Sequence, residues 1–114
     1  MEIAQLQQII AKFCQLRDWD QFHNPKDLAI GLSTEANELL EIFRFVKEAD
    51  LLDTLEHKRE AIEDELMDAL FFILRFTQLY HIDIEHAFIR KMEKNNLRYP
   101  VEVVKGKNKK YNEY

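Results

Sequence analysis

The segment EANELLE, residues 35–41, places three glutamates among residues that otherwise have the spacing of a helix core. A second segment, EDELMDALFFIL at residues 63–74, sets acids against a strongly apolar run in the same way. Apolar residues that recur three and four positions apart predict an amphipathic helix in each segment. In both helices the acids border the apolar stripe instead of lying opposite it, and this placement needs a physical reason.

The composition favours an all-α fold. The chain has 114 residues, of which 46% are hydrophobic, and it contains 2 glycines and 2 prolines. A chain of this length buries roughly two thirds of the surface that its unfolded form exposes, so a single domain suffices. So few turn-forming residues are atypical of an all-β protein.

The hydrophobic period predicts four helices, at residues 2–17, 25–47, 54–80 and 84–97. Asn24 is a suitable N-cap for the second helix, with Pro25 in its first turn, and Asp83 is a suitable N-cap for the fourth. Between the second and third helices we expect a corner that Asp50 or Asp53 caps. The core stripe predicted for the third helix consists of Ile62, Leu66, Ala69, Ile73 and Phe76.

Four helices with short connections predict a four-helix bundle at residues 1–100. Residues 101–114 form a basic tail, with Lys105, Lys107, Lys109 and Lys110, that we expect to be mobile or packed on a partner subunit. The long helices and the 8 phenylalanines supply more apolar surface than one bundle needs. This surplus predicts a homo-oligomer, either a dimer or a tetramer.

Charge and targeting signals narrow the function classes. The net charge of -5 disfavours a surface for nucleic acid polymers, which normally needs basic residues to replace phosphate counterions. The longest apolar run, residues 69–74, is far below the roughly 20 residues of a membrane span. We therefore expect a cytoplasmic protein that binds no membrane. Cys14 is the single cysteine and is interpreted as a small apolar filler in the first helix.

The acids fall into two pairs at helical spacing. Glu35 and Glu38 lie three residues apart, as do Glu65 and Asp68, so each pair shares one helix face. An ordinary solvated face is the simple interpretation of one such pair. Two pairs on consecutive, antiparallel helices instead predict four carboxylates that converge beside an apolar core, where their pKa values rise or they bind cations.

Oxygen ligands of this kind suit Mg²⁺, which commonly bridges protein carboxylates and substrate phosphates. Zinc or copper would need histidine or cysteine, and a di-iron bundle would need Glu-x-x-His motifs that the sequence lacks. The sequence also lacks a glycine-rich phosphate loop. The acids therefore favour metal-assisted chemistry on a phosphate compound, with an unligated carboxylate accepting a proton from water.

The paired acidic motifs resemble those of the MazG-like all-α nucleoside triphosphate pyrophosphohydrolases. The resemblance is greatest to the dCTP pyrophosphatase branch and covers nearly the whole chain. It includes RDWDQFHNPKDLA at residues 17–29, KMEKNNLRYPVE at residues 91–102 and VKGKNKKYNE at residues 104–113. This family implies a homodimer or a dimer of dimers, and cleavage of a nucleoside triphosphate between its α and β phosphates.

The resemblance also implies site residues. Glu35, Glu38, Glu65 and Asp68 would be the catalytic metal ligands for Mg²⁺, for which Mn²⁺ is the expected substitute. Trp19 would line the base pocket. The remaining expected substrate contacts are Lys91, Asn95, Arg98 and Tyr99, for phosphate and sugar, and the aromatic rings of Phe45 and Phe72.

Each substrate residue also has a purely structural interpretation. Trp19 would then plug the end of the bundle, Lys91 would be a solvated cation, Asn95 a helix C-cap and Tyr99 a packing aromatic. The branch usually has Gln-Trp where this chain has Arg44 and Phe45, and Tyr where it has Phe72. Both changes remove hydrogen-bonding groups, which are what discriminate between bases.

We therefore expect a Mg²⁺-dependent pyrophosphohydrolase that converts dCTP, or a related or modified deoxynucleotide, to the monophosphate and pyrophosphate. The alternative is a non-catalytic helical module that binds a nucleotide or a partner helix. In that case the acids would form only a charged surface.

Overall fold

Six α-helices form most of the regular structure within residues 1–108 and 111–113, which are the residues that the computed structural model describes. The α-helices are α1 (Ile3–Leu16), α2 (Pro25–Phe43), α3 (Leu51–His57), α4 (Arg59–Leu79), α5 (Ile84–Arg98) and α6 (Val101–Val104). Short 3₁₀ turns occupy Asp20–Phe22, Glu48–Asp50 and Tyr111–Glu113. The described part of the chain has no β-strand, which confirms the all-α prediction. Lys109 and Lys110 of the predicted basic tail lie outside the described residues.

The predicted helix starts follow from side-chain caps. Asn24 accepts a hydrogen bond from the backbone N–H of Asp27 at 2.9 Å, and Pro25 occupies the first turn of α2. Asp83 accepts a hydrogen bond from the backbone N–H of His86 at 3.1 Å, and α5 begins at Ile84, directly after this cap. Both caps satisfy an amide that would otherwise lack an intrahelical partner.

Three helix boundaries differ from the prediction, and the first is the start of the third helix, which lies at Leu51 instead of residue 54. The single helix predicted at residues 54–80 is wrong, because the chain breaks at Lys58 between α3 and α4. In the last turn of α3, the His57 ring donates a hydrogen bond to the Asp53 carbonyl at 2.7 Å, and such bonds compete with the helical ladder. The predicted end of α2 at residue 47 is also too late, since that helix ends at Phe43.

The chain divides into two compact units, Met1–Tyr80 and His81–Tyr114. The first unit contains α1 to α4, in which α2 and α1 pack on α4. The second contains α5, which ends at Arg98 just before Pro100, as predicted, and the single turn of α6. Among the described residues, no helix is both long and apolar enough to cross a membrane.

The close approach of α2 and α4 occurs at Gly31. A Cβ atom built on Gly31 would lie 2.3 Å from Cε1 of Phe72 and 2.5 Å from its Cζ, so the aromatic ring occupies the space that any other side chain would need. This absence of a side chain lets the two helix backbones come together at this level.

The core of the first unit is small. Its buried apolar residues are Ile10, Cys14, Leu28, Ile62 and Leu74. Cys14 is fully buried, which confirms its interpretation as a filler, and burial raises the pKa of its thiol. The core prediction is wrong for two residues of the stripe, because Leu66 is 45% exposed and Ile73 is 43% exposed in the single chain. Apolar periodicity cannot distinguish a face that packs within a chain from one that is left on its surface.

Replacing Gly31 by alanine should destabilise the protein. The added Cβ must displace the Phe72 ring, and we expect a net loss of about 1–2 kcal/mol, because overpacking outweighs the helix propensity that alanine adds. The measurement is urea unfolding followed by circular dichroism.

Ser33→Ala, an exposed substitution in the same helix, is the matched control and should leave stability unchanged or slightly raised. Combining Gly31→Ala with Phe72→Leu should recover part of the loss. Wild-type or higher stability of Gly31→Ala alone would contradict the close packing described above.

Candidate metal centre

Two matching stripes of residues face each other across the interface between α2 and α4. Within each stripe the successive residues are separated by three, four and three positions. On α2 the stripe consists of Leu28, Gly31, Glu35 and Glu38, and on α4 it consists of Glu65, Asp68, Phe72 and Arg75. The contacts of Gly31 with Phe72 and of Glu38 with Glu65 show that the helices run antiparallel. The acids of both helices therefore lie together, about one turn from the close approach at Gly31.

Three of the four predicted metal ligands form a tight cluster. One carboxylate oxygen from each of Glu35, Glu38 and Glu65 lies within 4.8 Å of the other two. Asp68 is outside this trio of atoms, yet its negative charge raises the pKa of both Glu35 and Glu65. The structure thus brings together three of the four carboxylates that were predicted to converge, and the fourth acts on two of them through its charge.

Two oxygens of this cluster are buried without a partner. Oε2 of Glu35 and Oε2 of Glu65 are shielded from solvent and have no hydrogen-bond partner. A shielded polar atom without a hydrogen-bond partner is unfavourable, so native structures avoid it unless another group satisfies it. The set offers only oxygen donors, and that is the coordination that a hard divalent cation prefers.

The proton affinity of the cluster is abnormal. The pKa of Glu35 is raised from 4.5 to about 7, chiefly by desolvation and then by its hydrogen bond with Glu38 and by the charges of Glu38, Asp68 and Glu65. The pKa of Glu65 is also raised, first by its hydrogen bond with Glu38 and then by desolvation. Both shifts mean that several negative charges here are unfavourable without a cation.

Within the described ranges, 1–108 and 111–113, no basic side chain is among the groups that shift the pKa values of Glu35 and Glu65. Arg44, Arg59 and Arg75 instead form ion pairs with Glu41, Glu63 and Asp20. Glu41, the third glutamate of the EANELLE segment, is exposed and lies 3.3 Å from Arg44, so it is separate from the cluster. The segment thus divides into two cluster acids and one surface acid.

Trp19 lies in the loop between α1 and α2. Its indole packs edge-on against Phe13, with ring centroids 5.5 Å apart, and 39% of the residue remains exposed. Phe13 in turn contacts Phe71 at 6.0 Å, and Phe71 contacts Phe72 at 5.4 Å. This row of rings connects the loop with the helix that carries Glu65 and Asp68.

Arg75 is the residue that the sequence reasoning missed. It is 1% exposed and donates hydrogen bonds to His23, Gln78 and Asp20. His23 is thereby linked to a residue 52 positions away in the sequence. The sequence does contain a signal for Arg75. It lies seven residues after Asp68, and this spacing places both residues on the same face of α4.

The other predicted substrate residues occupy varied environments. Phe45 is 84% exposed just after α2, with the Arg44 guanidinium 4.7 Å from its ring centroid. Phe72 is half-buried against Gly31 and Phe71.

The remaining four lie in or next to α5. Lys91, Asn95 and Arg98 have the spacing of one helical stripe, Asn95 accepts a backbone hydrogen bond from Tyr99 at 2.9 Å, and Tyr99 is the C-cap. Tyr99, not Asn95, therefore occupies the cap position. The substrate contacts of these four residues remain predictions.

Residues 30–114 match the MazG-like family, a range that includes both acidic pairs and more than half of the chain. The chain belongs to the MazG-like family. The resemblance in its acidic motifs is thereby confirmed.

Among its MazG-like relatives, the chain is similar to dCTP pyrophosphatase 1 from Rattus norvegicus, with 33% identity over 111 residues and 96% of this chain. It is 29% identical to dCTP pyrophosphatase 1 from Homo sapiens over 113 residues. The chain spans 65% of the length of the rat protein and 66% of the human one.

The fold of this MazG-like chain is similar to the crystal structure of a pyrophosphatase from Archaeoglobus fulgidus DSM 4304. The TM-score is 0.81 and the sequence identity 36%, over 85% of this chain and 91% of that one. The likeness supports the all-helical architecture described above.

The raised pKa of Glu35 predicts how the stability of the metal-free protein depends on pH. The carboxyl holds its proton up to about pH 7 in the folded state, against 4.5 as its ordinary value. The folded state therefore binds more protons than the unfolded chain between these values, and the free energy of unfolding falls as pH rises through that window. Urea unfolding in EDTA across the window measures this slope.

Glu35→Gln should reduce the slope, because the glutamine side chain does not titrate. Glu41→Gln, on the same helix but paired with Arg44, should retain the wild-type slope. An identical pH dependence in wild type and Glu35→Gln would show that Glu35 is not the group responsible.

Proposed function

We propose that this protein is a Mg²⁺-dependent nucleoside triphosphate pyrophosphohydrolase that acts on dCTP or a related deoxynucleotide. The products are the nucleoside monophosphate and pyrophosphate. The observation that carries the proposal is the carboxylate cluster of Glu35, Glu38 and Glu65, with two buried oxygens that have no protein partner. The activity named for the relatives of this chain supports it.

The residues that would hold the metal are Glu35, Glu38, Glu65 and Asp68. Their donor atoms are all carboxylate oxygens, a set that favours Mg²⁺ or Mn²⁺ over zinc or copper. A bound Mg²⁺ would offset the negative charge of the triphosphate, which four carboxylates would otherwise repel.

The carboxylates would also manage the proton of the reaction. Water forms a bond to one of the two phosphorus atoms that flank the bridging oxygen between the α and β phosphates, and the bond from that phosphorus to the bridging oxygen breaks. A carboxylate oxygen of the cluster that is free of the metal accepts the proton that the water loses.

Trp19 is proposed to bind the nucleotide base. Its indole is held on one side by Phe13 and is partly exposed, so an open aromatic surface remains for stacking. The aromatic row from Trp19 to Phe72 places this surface and the acids on one continuous packed framework.

Base preference depends on the aromatic positions that differ from the dCTP pyrophosphatase branch. Phe45 offers a stacking face but no hydrogen-bonding group, and Phe72 is partly occupied by its contact with Gly31. Discrimination between cytosine and other bases normally needs polar groups. The proposed substrate class therefore includes dCTP and pyrimidine deoxynucleotides with altered bases.

A homo-oligomer is also part of the proposal. Leu66, Met67 and Ile73 of α4 are 45%, 56% and 43% exposed, and Ile30 and Leu40 of α2 are 54% and 57% exposed. Exposed apolar groups on adjacent helices are typical of a surface that a second subunit covers.

Glu38→Gln and Glu65→Gln should each lower turnover by a factor of about 10² or more, because each removes one charge of the metal cluster and leaves the fold intact. The measurement is release of pyrophosphate and monophosphate from dCTP with Mg²⁺, together with circular dichroism. Glu41→Gln and Glu63→Gln are the matched controls, since both wild-type acids pair with arginines outside the cluster.

Two results would contradict the proposed activity. One is release of orthophosphate instead of pyrophosphate, and the other is no turnover of any nucleoside triphosphate by the wild type. In the second case, a rise in melting temperature with Mg²⁺ and nucleotide would identify a non-catalytic nucleotide-binding module instead.

Met67→Lys should reduce the molar mass in solution, because a charge on an interface between subunits is poorly solvated. Light scattering after size-exclusion chromatography measures the mass. Glu60→Lys, an exposed change in the first turn of the same helix, should leave it unchanged. A wild-type mass equal to one chain would contradict the oligomer.

A further inference from the structure

A buried arginine fixes the loop that carries Trp19. We infer that Arg75, together with Asp20 and His23, is a positioning network that holds Trp19 in place for the nucleotide base. The network thereby sets the affinity for the base end of the substrate. This inference rests on the proposed function, because it assigns the control of base binding within the same site.

The hydrogen bonds of Arg75 show what the network holds. Its Nε donates to Nδ1 of His23 at 2.9 Å, and a second guanidinium nitrogen donates to Asp20. The third nitrogen donates to Gln78, one turn further along α4, at 2.7 Å. Two of the three partners are therefore in the Trp19 loop, where Asp20 begins the 3₁₀ turn Asp20–Phe22 and His23 directly follows it.

The protonation states agree with this arrangement. Since Nδ1 of His23 accepts a hydrogen bond from Arg75, this nitrogen carries no hydrogen, and the hydrogen of the neutral imidazole is on Nε2. Burial and the adjacent Arg75 both lower the pKa of His23. The guanidinium forms an ion pair with the carboxylate of Asp20.

The backbone of the loop is also tightly constrained. Asp18 has a φ of 56°, in the left-handed region that non-glycine residues rarely adopt. Gln21 donates to the backbone carbonyl of Asp18 at 3.1 Å and to its carboxylate at 2.9 Å. The backbone N–H of Trp19 donates to the Cys14 carbonyl at 3.0 Å. Trp19 is thus held at its backbone by α1 and through its neighbour Asp20 by α4.

The position of Arg75 on α4 connects the two ends of the site. Asp68 and Arg75 lie on the same face of the helix, about 10 Å apart along its axis. One α4 stripe therefore carries acids of the metal cluster at one end and the anchor of the Trp19 loop at the other. Because both groups lie on one rigid helix, the distance between the phosphate end and the base end of the proposed substrate site is fixed.

Packing alone does not explain an arginine here. An apolar side chain fills a buried position at lower desolvation cost than a guanidinium. Only the planar guanidinium, however, can donate at fixed angles to a carboxylate and an imidazole at once. That directional requirement points to the geometry of the loop as the property that Arg75 provides.

Trp19 is the single tryptophan of the chain, so its fluorescence reports on this loop alone. The variants are Arg75→Lys, Asp20→Ala and the double variant. Arg59→Lys is the matched control, because Arg59 lies on the same helix and its side chain is 70% exposed. Each is measured for acrylamide quenching of Trp19, for binding of Mn²⁺ alone and for KM and kcat with dCTP.

In Arg75→Lys and Asp20→Ala we expect increased quenching of Trp19 and a KM raised by about tenfold or more, whereas kcat changes by less than about threefold. Mn²⁺ binding should match that of Arg59→Lys and the wild type. The double variant should show less than the product of the two single effects on KM, because both changes break one network.

Unchanged quenching and KM in a folded Asp20→Ala protein would overturn the inference. A loss of kcat at constant KM would overturn it as well, since it would place the network in the chemical step. If the wild type turns over no nucleotide, the proposed function fails, and Trp19 quenching by itself then decides whether Arg75 positions the loop.

Discussion

The contact between Gly31 and the Phe72 ring is the constraint on which the rest of the structure depends. With no side chain at this point of α2, the helix approaches α4 closely enough for the ring to fill the space. One turn further along, the same antiparallel register brings Glu35 and Glu38 against Glu65. The acid cluster is therefore a consequence of helix packing, and its geometry is set by residues that carry no chemistry themselves.

Charge repulsion and burial both make the metal-free cluster energetically unfavourable. Its carboxylates repel one another, two of their oxygens are buried without partners, and the pKa values of Glu35 and Glu65 are raised. A fold keeps such a local cost when the site is used and the surrounding structure supports it. Here the support comes from buried residues such as Leu28 and Ile62 in the two helices that carry the acids.

Local sequence patterns predicted those features that depend on residues three or four positions apart, such as helix caps and helix faces. The acid pairs followed from helical periodicity, and Asn24 and Asp83 marked helix starts because each caps a nearby amide. The break at Lys58 was not predictable from apolar spacing. Leu66 and Ile73 were misplaced because periodicity does not show what covers a face. Arg75 escaped notice because its partners Asp20 and His23 are 55 and 52 positions away.

The most direct test of the account is to locate the cation itself. Crystals grown with Mn²⁺ and examined by anomalous diffraction should show a manganese peak bonded to carboxylate oxygens of Glu35, Glu38 and Glu65. The buried Oε2 atoms of Glu35 and Glu65 would then have the partner that they lack among the protein groups. A manganese peak at other residues, with these three side chains unchanged and unligated, would contradict the central claim that the α2 and α4 acids form a metal site.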